Sequence, residues 1–240
     1  MNYKTLLINL DRSLQRLADA TAQLDAIGMP YERVSAADGA ALSDAERACF
    51  DVDMAQQRYH YDLTWGEVGC YLSHLRCWQK IVDEQLDYAI IVEDDLCLSP
   101  EFADVPHVLA ALQHPWQFIK LGNPFKPRQQ HVIESQADFD LVSYDKAPSG
   151  TCAQVVSYAG AKRLLAARRT FFRPVDVDLQ WQWEVPIEVL GLVPYVADNN
   201  HQFASEIQKI GQRKDKQKRR WVKLKETLRF KWQQMRSNKR

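Results

Sequence analysis

Three consecutive carboxylates, Glu93-Asp94-Asp95, stand directly after an apolar run, Tyr88-Ala89-Ile90-Ile91-Val92. At the end of a buried strand such groups repel one another strongly unless something cationic sits with them. In extended backbone alternate side chains share a face, so Glu93 and Asp95 are expected on one side and Asp94 on the other. Two hard oxygen ligands at a strand end suit Mg²⁺ or Mn²⁺, an ion able to bridge a diphosphate. A solvated strand-end turn is the plainer alternative, and the apolar flanks, with Leu96-Cys97-Leu98 following, argue against it.

Other reactive side chains are less telling alone. Ser73 and His74 fall on a predicted helix, where a lone histidine is more often a satisfied core or surface residue than a functional one. Five cysteines (Cys49, Cys70, Cys77, Cys97, Cys152) form no CxxC pair, and an odd number suits free thiols. Cys70 and Cys77, seven apart on one helix face, read as small buried apolar residues rather than metal ligands, with no His or Cys at ligand spacing. Most of the seven tryptophans are expected to pack in the core.

The elements that position these groups follow from periodicity. Residues 4–10 and 31–36 read as strands. Between them Leu14, Leu17, Leu24 and Ile27 form a helical stripe that Gly28 closes. Residues 66–85 carry Val68, Leu72, Leu75, Trp78 and Ile81 at helical spacing, although the first turn holds two glycines. Residues 88–92, 116–121 and 151–157 read as strands and 159–169 as a helix. Alternating units with buried apolar strands predict an α/β fold with a mostly parallel sheet. At 240 residues the chain can bury a substantial core, and 46% hydrophobic with 26% charged residues is ordinary for a globular protein.

The order and spacing of several short motifs resemble glycosyltransferase family 25, the lipooligosaccharide-biosynthesis family, over residues 3–207. They are Ile8-Asn9-Leu10-Asp11-Arg12 with Arg16 downstream, Val34-Ser35-Ala36-Ala37-Asp38-Gly39, and Gly66-Glu67-Val68-Gly69-Cys70 leading to Ser73-His74 and Trp78. Ile91-Val92-Glu93-Asp94-Asp95, Gly150-Thr151, Ser157-Tyr158-Ala159-Gly160-Ala161 and Pro174-Val175-Asp176 follow. The resemblance implies a GT-A-like nucleotide-diphospho-sugar transferase fold over residues 1–208. It also implies inverting transfer, usually of galactose from UDP-galactose, with the acidic triplet as the metal motif. By the same carry-over Asn9, Leu10 and Arg12 line the nucleotide pocket, Asp38 lies near the base or ribose, and Ser73, His74 and Asp94 join the donor site. Glu93 and Asp95 hold Mn²⁺ or Mg²⁺, with His201 as a third ligand. Inversion needs a carboxylate base for the acceptor hydroxyl. Asp176 is the first choice and Asp178 the second, while Trp181, Trp183 and Glu184 are grouped as an acceptor-sugar platform.

Residues 209–240 differ in kind. They hold fourteen Lys/Arg against two acids, a charge of +12 that the remainder balances at −12. Trp221, Leu224, Leu228, Trp232 and Met235 recur at spacings of three and four, so a basic amphipathic helix is predicted. Such a helix suits an anionic membrane surface, more coherently than nucleic acid, which is not expected as a partner. Without an export signal or a ~20-residue apolar span, a cytoplasmic protein peripheral to the inner face of the cytoplasmic membrane is expected. Its partners would be a UDP-sugar donor and a glycolipid or oligosaccharide acceptor. The rival reading is a non-catalytic nucleotide- or glycan-binding module recruited by the basic helix.

Overall fold

The computed structural model describes residues 1–200 and 219–237. β1 (Tyr3–Asn9), α1 (Leu14–Ala26) and β2 (Glu32–Ser35) open the chain. The short helices α2 (Asp44–Arg47) and α3 (Val52–Arg58) lead into α4 (Trp65–Asp83) and β3 (Tyr88–Glu93). Then come β4 (Leu96–Leu98), α5 (Val105–Ala111), β5 (Phe118–Lys120), β6 (Gln130–Gln136), β7 (Phe139–Tyr144) and β8 (Ala153–Ser157). They are followed by α6 (Tyr158–Ala167), α7 (Val175–Asp178), β9 (Val189–Val193), β10 (Ala197–Asn199) and α8 (Arg220–Ser237).

Eight strands form one sheet in the order β2-β1-β3-β8-β5-β9-β7-β6. The α/β class is as expected, but the sheet is mixed rather than mostly parallel. Parallel pairing is confined to β2-β1-β3 and β5-β9, while β8 runs against both its neighbours and β6-β7 is an antiparallel hairpin. Alternate residues of β1 and β3 feed two cores. Leu6, Ile8, Ala89 and Ile91 pack with the side chains of α4 and α6; Leu7, Tyr88, Ile90 and Val92 pack with those of α1 and α5. That is why these strands read as unbroken apolar runs.

The chain leaves β1 for β2 on one side and returns to β3 on the other. The carboxyl ends of β1 and β3 therefore bound a topological switch point, the crevice where open α/β sheets bind ligands. Asn9 ends β1 and Glu93 ends β3.

Two helices depart from the expected faces. In α1 Leu14 is 69% exposed, and the inward residues are Arg16, Ala20 and Leu24. Arg16 turns into the crevice, where charge rather than apolarity holds it. α8 is a docked helix. Its buried Glu226 pairs with Arg58 at 3.0 Å, and Phe230 sits edge-on to Trp181 and Trp183 with centroids 5.2 and 4.9 Å away. The predicted stripe Trp221/Leu224/Leu228/Trp232/Met235 is the outer face, and Trp221 is 84% exposed. No helix among the described residues is long and apolar enough to cross a membrane.

Candidate active site

A cleft with about 610 Å³ of open space lies at the switch point. Asn9 and Leu10 line it from β1, Ala36, Ala37 and Gly39 from the loop after β2, and Gly66, Cys70, Ser73 and His74 from α4. Arg16 and the triplet Glu93, Asp94 and Asp95 complete it. The α4 wall is set by its start, where Thr64 and Glu67 cap each other reciprocally. Backbone meets backbone there: a Cβ on Gly69 would lie 2.3 Å from the Ala37 carbonyl oxygen, and one on Gly39 2.3 Å from that of Trp65. One glycine of the helix start, Gly69, and one of the facing loop, Gly39, thus serve close approach. Ser73 accepts a hydrogen bond from the Ala37 N–H at 2.9 Å and donates to the Gly69 carbonyl at 2.7 Å, so its hydroxyl fixes the wall.

The triplet does not alternate as extended backbone would. The chain turns at Asp94-Asp95, and all three side chains line the one cleft. Asp94 accepts from the Asn9 amide at 2.6 Å and pairs with Arg16 at 3.0 Å; Asp95 pairs with the same guanidinium. Asn9 is itself held by Arg33, whose Nε donates to its side-chain amide oxygen Oδ1 at 3.0 Å. Glu93 leans the other way, accepting from the Thr151 hydroxyl at 2.6 Å beside His74 Nε2 at 3.1 Å. Burial pushes the Glu93 carboxyl up, yet the bonds from His74 and Thr151 outweigh it and hold the group below the usual glutamate range. Asp95 goes the opposite way. Burial first, then the charge of Glu93, push it up to about 6 against the pull of Arg16. Its Oδ1 is buried with no hydrogen-bond partner.

Of the predicted donor residues, the cleft gathers Asn9, Leu10, Ser73, His74 and Asp94. Arg12 and Asp38 pair with each other beside it. The guanidinium inside is that of Arg16, a residue in the sequence motif to which no role was given, because a spacing analysis of apolar residues does not register an inward arginine. Glu93 and Asp95, the expected ligand pair, both line the cleft. Among the described residues, ligand-type atoms of Cys70, His74 and Glu93 lie within 4.8 Å of one another. Reading Cys70 as plain core overlooked that His74 stands four residues on, one turn along the same helix. His201 lies outside the described residues.

The acidic pair of α7 separates. Asp176 is half-buried and accepts the Gly150 N–H at 3.1 Å, next in sequence to the Thr151 that holds Glu93. Asp178 is fully buried and saturated: it accepts from Tyr71 at 2.8 Å, from Arg168 at 2.5 and 3.0 Å, and from Arg173 at 3.1 Å. A carboxylate so engaged cannot reach an acceptor hydroxyl, which removes Asp178 as a candidate base. The expected sugar platform is likewise packed away. The Arg173 guanidinium lies over Trp181, 3.9 Å from the ring centroid, and Phe230 covers Trp181 and Trp183. Glu184 pairs with Arg58 at 2.5 Å and with Arg173 at 2.9 Å. Long-range pairing with Arg58 and the α8 helix made this cluster, and local sequence carries no trace of it.

Residues 2–179 match the family described as glycosyltransferase family 25 (LPS biosynthesis protein). The chain belongs to glycosyltransferase family 25. It is 32% identical over 144 residues to the probable inactive glycosyltransferase 25 family member 3 of Bos taurus, covering 56% of this chain and 24% of that protein. Against procollagen galactosyltransferase 2 of Mus musculus identity is 27% over 171 residues, 67% of this chain and 27% of the relative. The family 25 chain thus spans about a quarter of the length of these curated relatives. Among solved structures, a glycosyltransferase involved in glycosylation of the major capsid of PBCV-1 aligns with a TM-score of 0.47 and 8% identity, over 88% of this chain and 97% of that one.

Proposed function

We propose that this family 25 chain transfers a hexose from a UDP-sugar to a glycan hydroxyl with inversion, galactose being the favoured donor sugar and a lipopolysaccharide-type glycan the favoured acceptor. The observation that carries the reading is the cleft at the switch point, where Asp94 and Asp95 pair with Arg16 beside Glu93 and a buried Asp95 oxygen has no hydrogen-bond partner among the described residues. Glu93 and Asp95 suit a hard divalent ion such as Mn²⁺ or Mg²⁺, which when bound would offset charge on a departing diphosphate. Family membership and the relative named a procollagen galactosyltransferase favour galactose.

In this reading Arg16 supplies fixed positive charge at the diphosphate. Asn9 holds Asp94 in place and, with Leu10, forms the nucleotide side of the cleft. Arg12 and Asp38 belong to its nucleotide edge. Asp176 takes the proton from the attacking hydroxyl. The acceptor does not rest on Trp181, whose face is covered. The outer stripe of α8, with Lys223, Lys225, Lys231 and Arg236 on the same helix, rests on an anionic bilayer at the cytoplasmic face, where a lipid-borne acceptor is presented.

One observation favours a second reading: a relative bears the name of a probable inactive family member, which fits a nucleotide- or glycan-binding module without turnover. Hydrolysis of a panel of UDP-hexoses with added Mn²⁺ separates the two. Turnover of one donor is expected, lost on adding EDTA and nearly abolished in Asp95→Asn, whose melting temperature stays that of the wild type. Turnover untouched by EDTA would sink the metal assignment. Tight UDP binding with no turnover of any donor would establish the second reading.

A further inference from the structure

We propose that Cys70, His74 and Glu93 form a binding site for a soft divalent cation, zinc being the natural candidate, set in the wall of the donor cleft. The site goes beyond the hard-ion reading of the triplet, for it uses a sulfur and an imidazole that Mg²⁺ and Mn²⁺ do not favour. Cys70 and His74 stand one helical turn apart on α4, and Glu93 comes from the end of β3, so three ligand types that zinc accepts converge from two rigid elements. Their ligand atoms lie within 4.8 Å of one another. Zinc bonds of about 2.0 Å to nitrogen and oxygen set tetrahedral edges of about 3.3 Å. His74 Nε2 and Glu93 Oε1 are already 3.1 Å apart, close to such an edge.

The outer contacts of such a site are also in place. The Thr151 hydroxyl holds Glu93 at 2.6 Å, and the side chain of Gln154 meets His74 Nδ1 at 2.9 Å. Gln154 is completely buried, and its amide oxygen has no hydrogen-bond partner. Turned over, the amide gives that oxygen a bond from Nδ1–H, which is the tautomer that leaves the Nε2 lone pair free for a metal. The amide oxygen then holds the histidine in its metal-ready form, and the amide nitrogen takes the unpartnered place. Cys70, His74 and Glu93 all line the cleft, so the fourth zinc position opens into it, toward solvent or a donor oxygen. Binding takes the thiol proton into solution and engages Glu93, so an ion here competes with the acidic triplet for that carboxylate.

The experiment is zinc titration of the purified, chelator-stripped full chain, with X-ray absorption at the zinc edge. Wild type should show one sulfur at about 2.3 Å together with nitrogen and oxygen at about 2.0 Å. Cys70→Ser should lose the sulfur shell, with a drop in affinity larger than the roughly tenfold expected for Gln154→Leu, whose side chain only orients His74. Cys77→Ser, one more turn pair along α4, should change neither. A wild-type spectrum without sulfur, or equal affinity in Cys70→Ser, overturns the site. Should Cys70→Ser fail to fold, the wild-type spectrum alone decides. Because Mn²⁺-dependent turnover does not require the sulfur, failure here and failure of the transferase reading are told apart.

Discussion

Charge gathers in two places in this molecule, and the two are built on different rules. Beneath α8, Asp178, Glu184 and Glu226 meet Arg58, Arg168 and Arg173. There the pairing is reciprocal: burial pushes Glu184 up, but Arg58 and Arg173 outweigh it and hold the carboxyl below its ordinary range. In the cleft, Asp94 and Asp95 pair with Arg16, and Glu93 lies beside them on His74 and Thr151. Burial and mutual repulsion leave Asp94 raised and Asp95 at about 6. The first cluster surrounds its carboxylates with guanidiniums, although Arg173 keeps buried Nε and Nη2 atoms without a hydrogen-bond partner among the described residues; the second leaves its aspartates raised. Unsettled charge at the carboxyl end of a parallel strand marks a place for a ligand, whereas settled charge marks architecture. Asp176 and Asp178, two residues apart on α7, differ likewise: Asp178 lies within the first cluster, while Asp176 is half-buried and accepts the Gly150 N–H.

The largest expected effect tests that split. Asp176→Asn should lower transfer by roughly 10²–10⁴-fold with UDP affinity nearly unchanged, measured by steady-state kinetics and UDP titration. Full activity in this variant would move the base elsewhere and blur the boundary between the regions. Asp178→Ala should instead lower stability by about 3–5 kcal/mol in urea melts, because buried Arg168 loses its close carboxylate partner and buried Arg173 keeps only its glutamate partners. The folded fraction should still turn over donor, and a stable but inactive Asp178→Ala would reverse the assignment of the pair.

The outer surface gives a milder test. Trp221→Ser with Trp232→Ser should strip the protein from anionic vesicles in sedimentation assays while leaving its melt unaltered, since both rings are exposed on the docked helix. Equal sedimentation of variant and wild type would dismiss the bilayer. The smallest effect concerns Lys120, buried at the end of β5 with its ammonium on the Gly150 carbonyl, where burial pulls it down to about 8 against the pull of Asp176. Between pH 8 and 10.5 the unfolded chain keeps a proton that the folded chain has shed, so stability contributed by this group rises with pH across that window. Relative to Lys120→Met, wild type should gain on the order of 1–3 kcal/mol from pH 8 to pH 10. Parallel melts of the two proteins at both pH values measure it, and identical slopes would contradict it.

The parts of the site legible from sequence are those held by apolar periodicity. The run at β3 located the triplet, and the stripe of α4 located His74 and Ser73. What escaped was held by polarity or by distance along the chain. Arg16 hides because an inward arginine breaks the apolar stripe that defines a helix face, so Leu14 was placed inward in its stead. Asp176 and Asp178 cannot be ranked without knowing that Tyr71, over a hundred positions earlier, donates to only one of them. The hairpin β6-β7 escaped because β6 is polar and mostly exposed and shows no apolar alternation. Cys70 and His74 are the exception. Their spacing was readable, but the cysteine was paired with Cys77 on a helix face and His74, four residues on, was not counted as a partner at ligand spacing.

Helix α4 carries all of these relationships as angular phase. Within five successive positions, Cys70 and His74 address Glu93, Tyr71 addresses Asp178, and Ser73 addresses the loop at Ala37. Each residue turns the helix by roughly 100°. One residue inserted between Thr64 and Cys70 would therefore misdirect the cleft, the loop and the buried cluster together, however well the new side chain suited a helix. Changes of length can be absorbed only before the Thr64 cap or after Asp83. The helix behaves as a camshaft, whose timing is as consequential as its lobes.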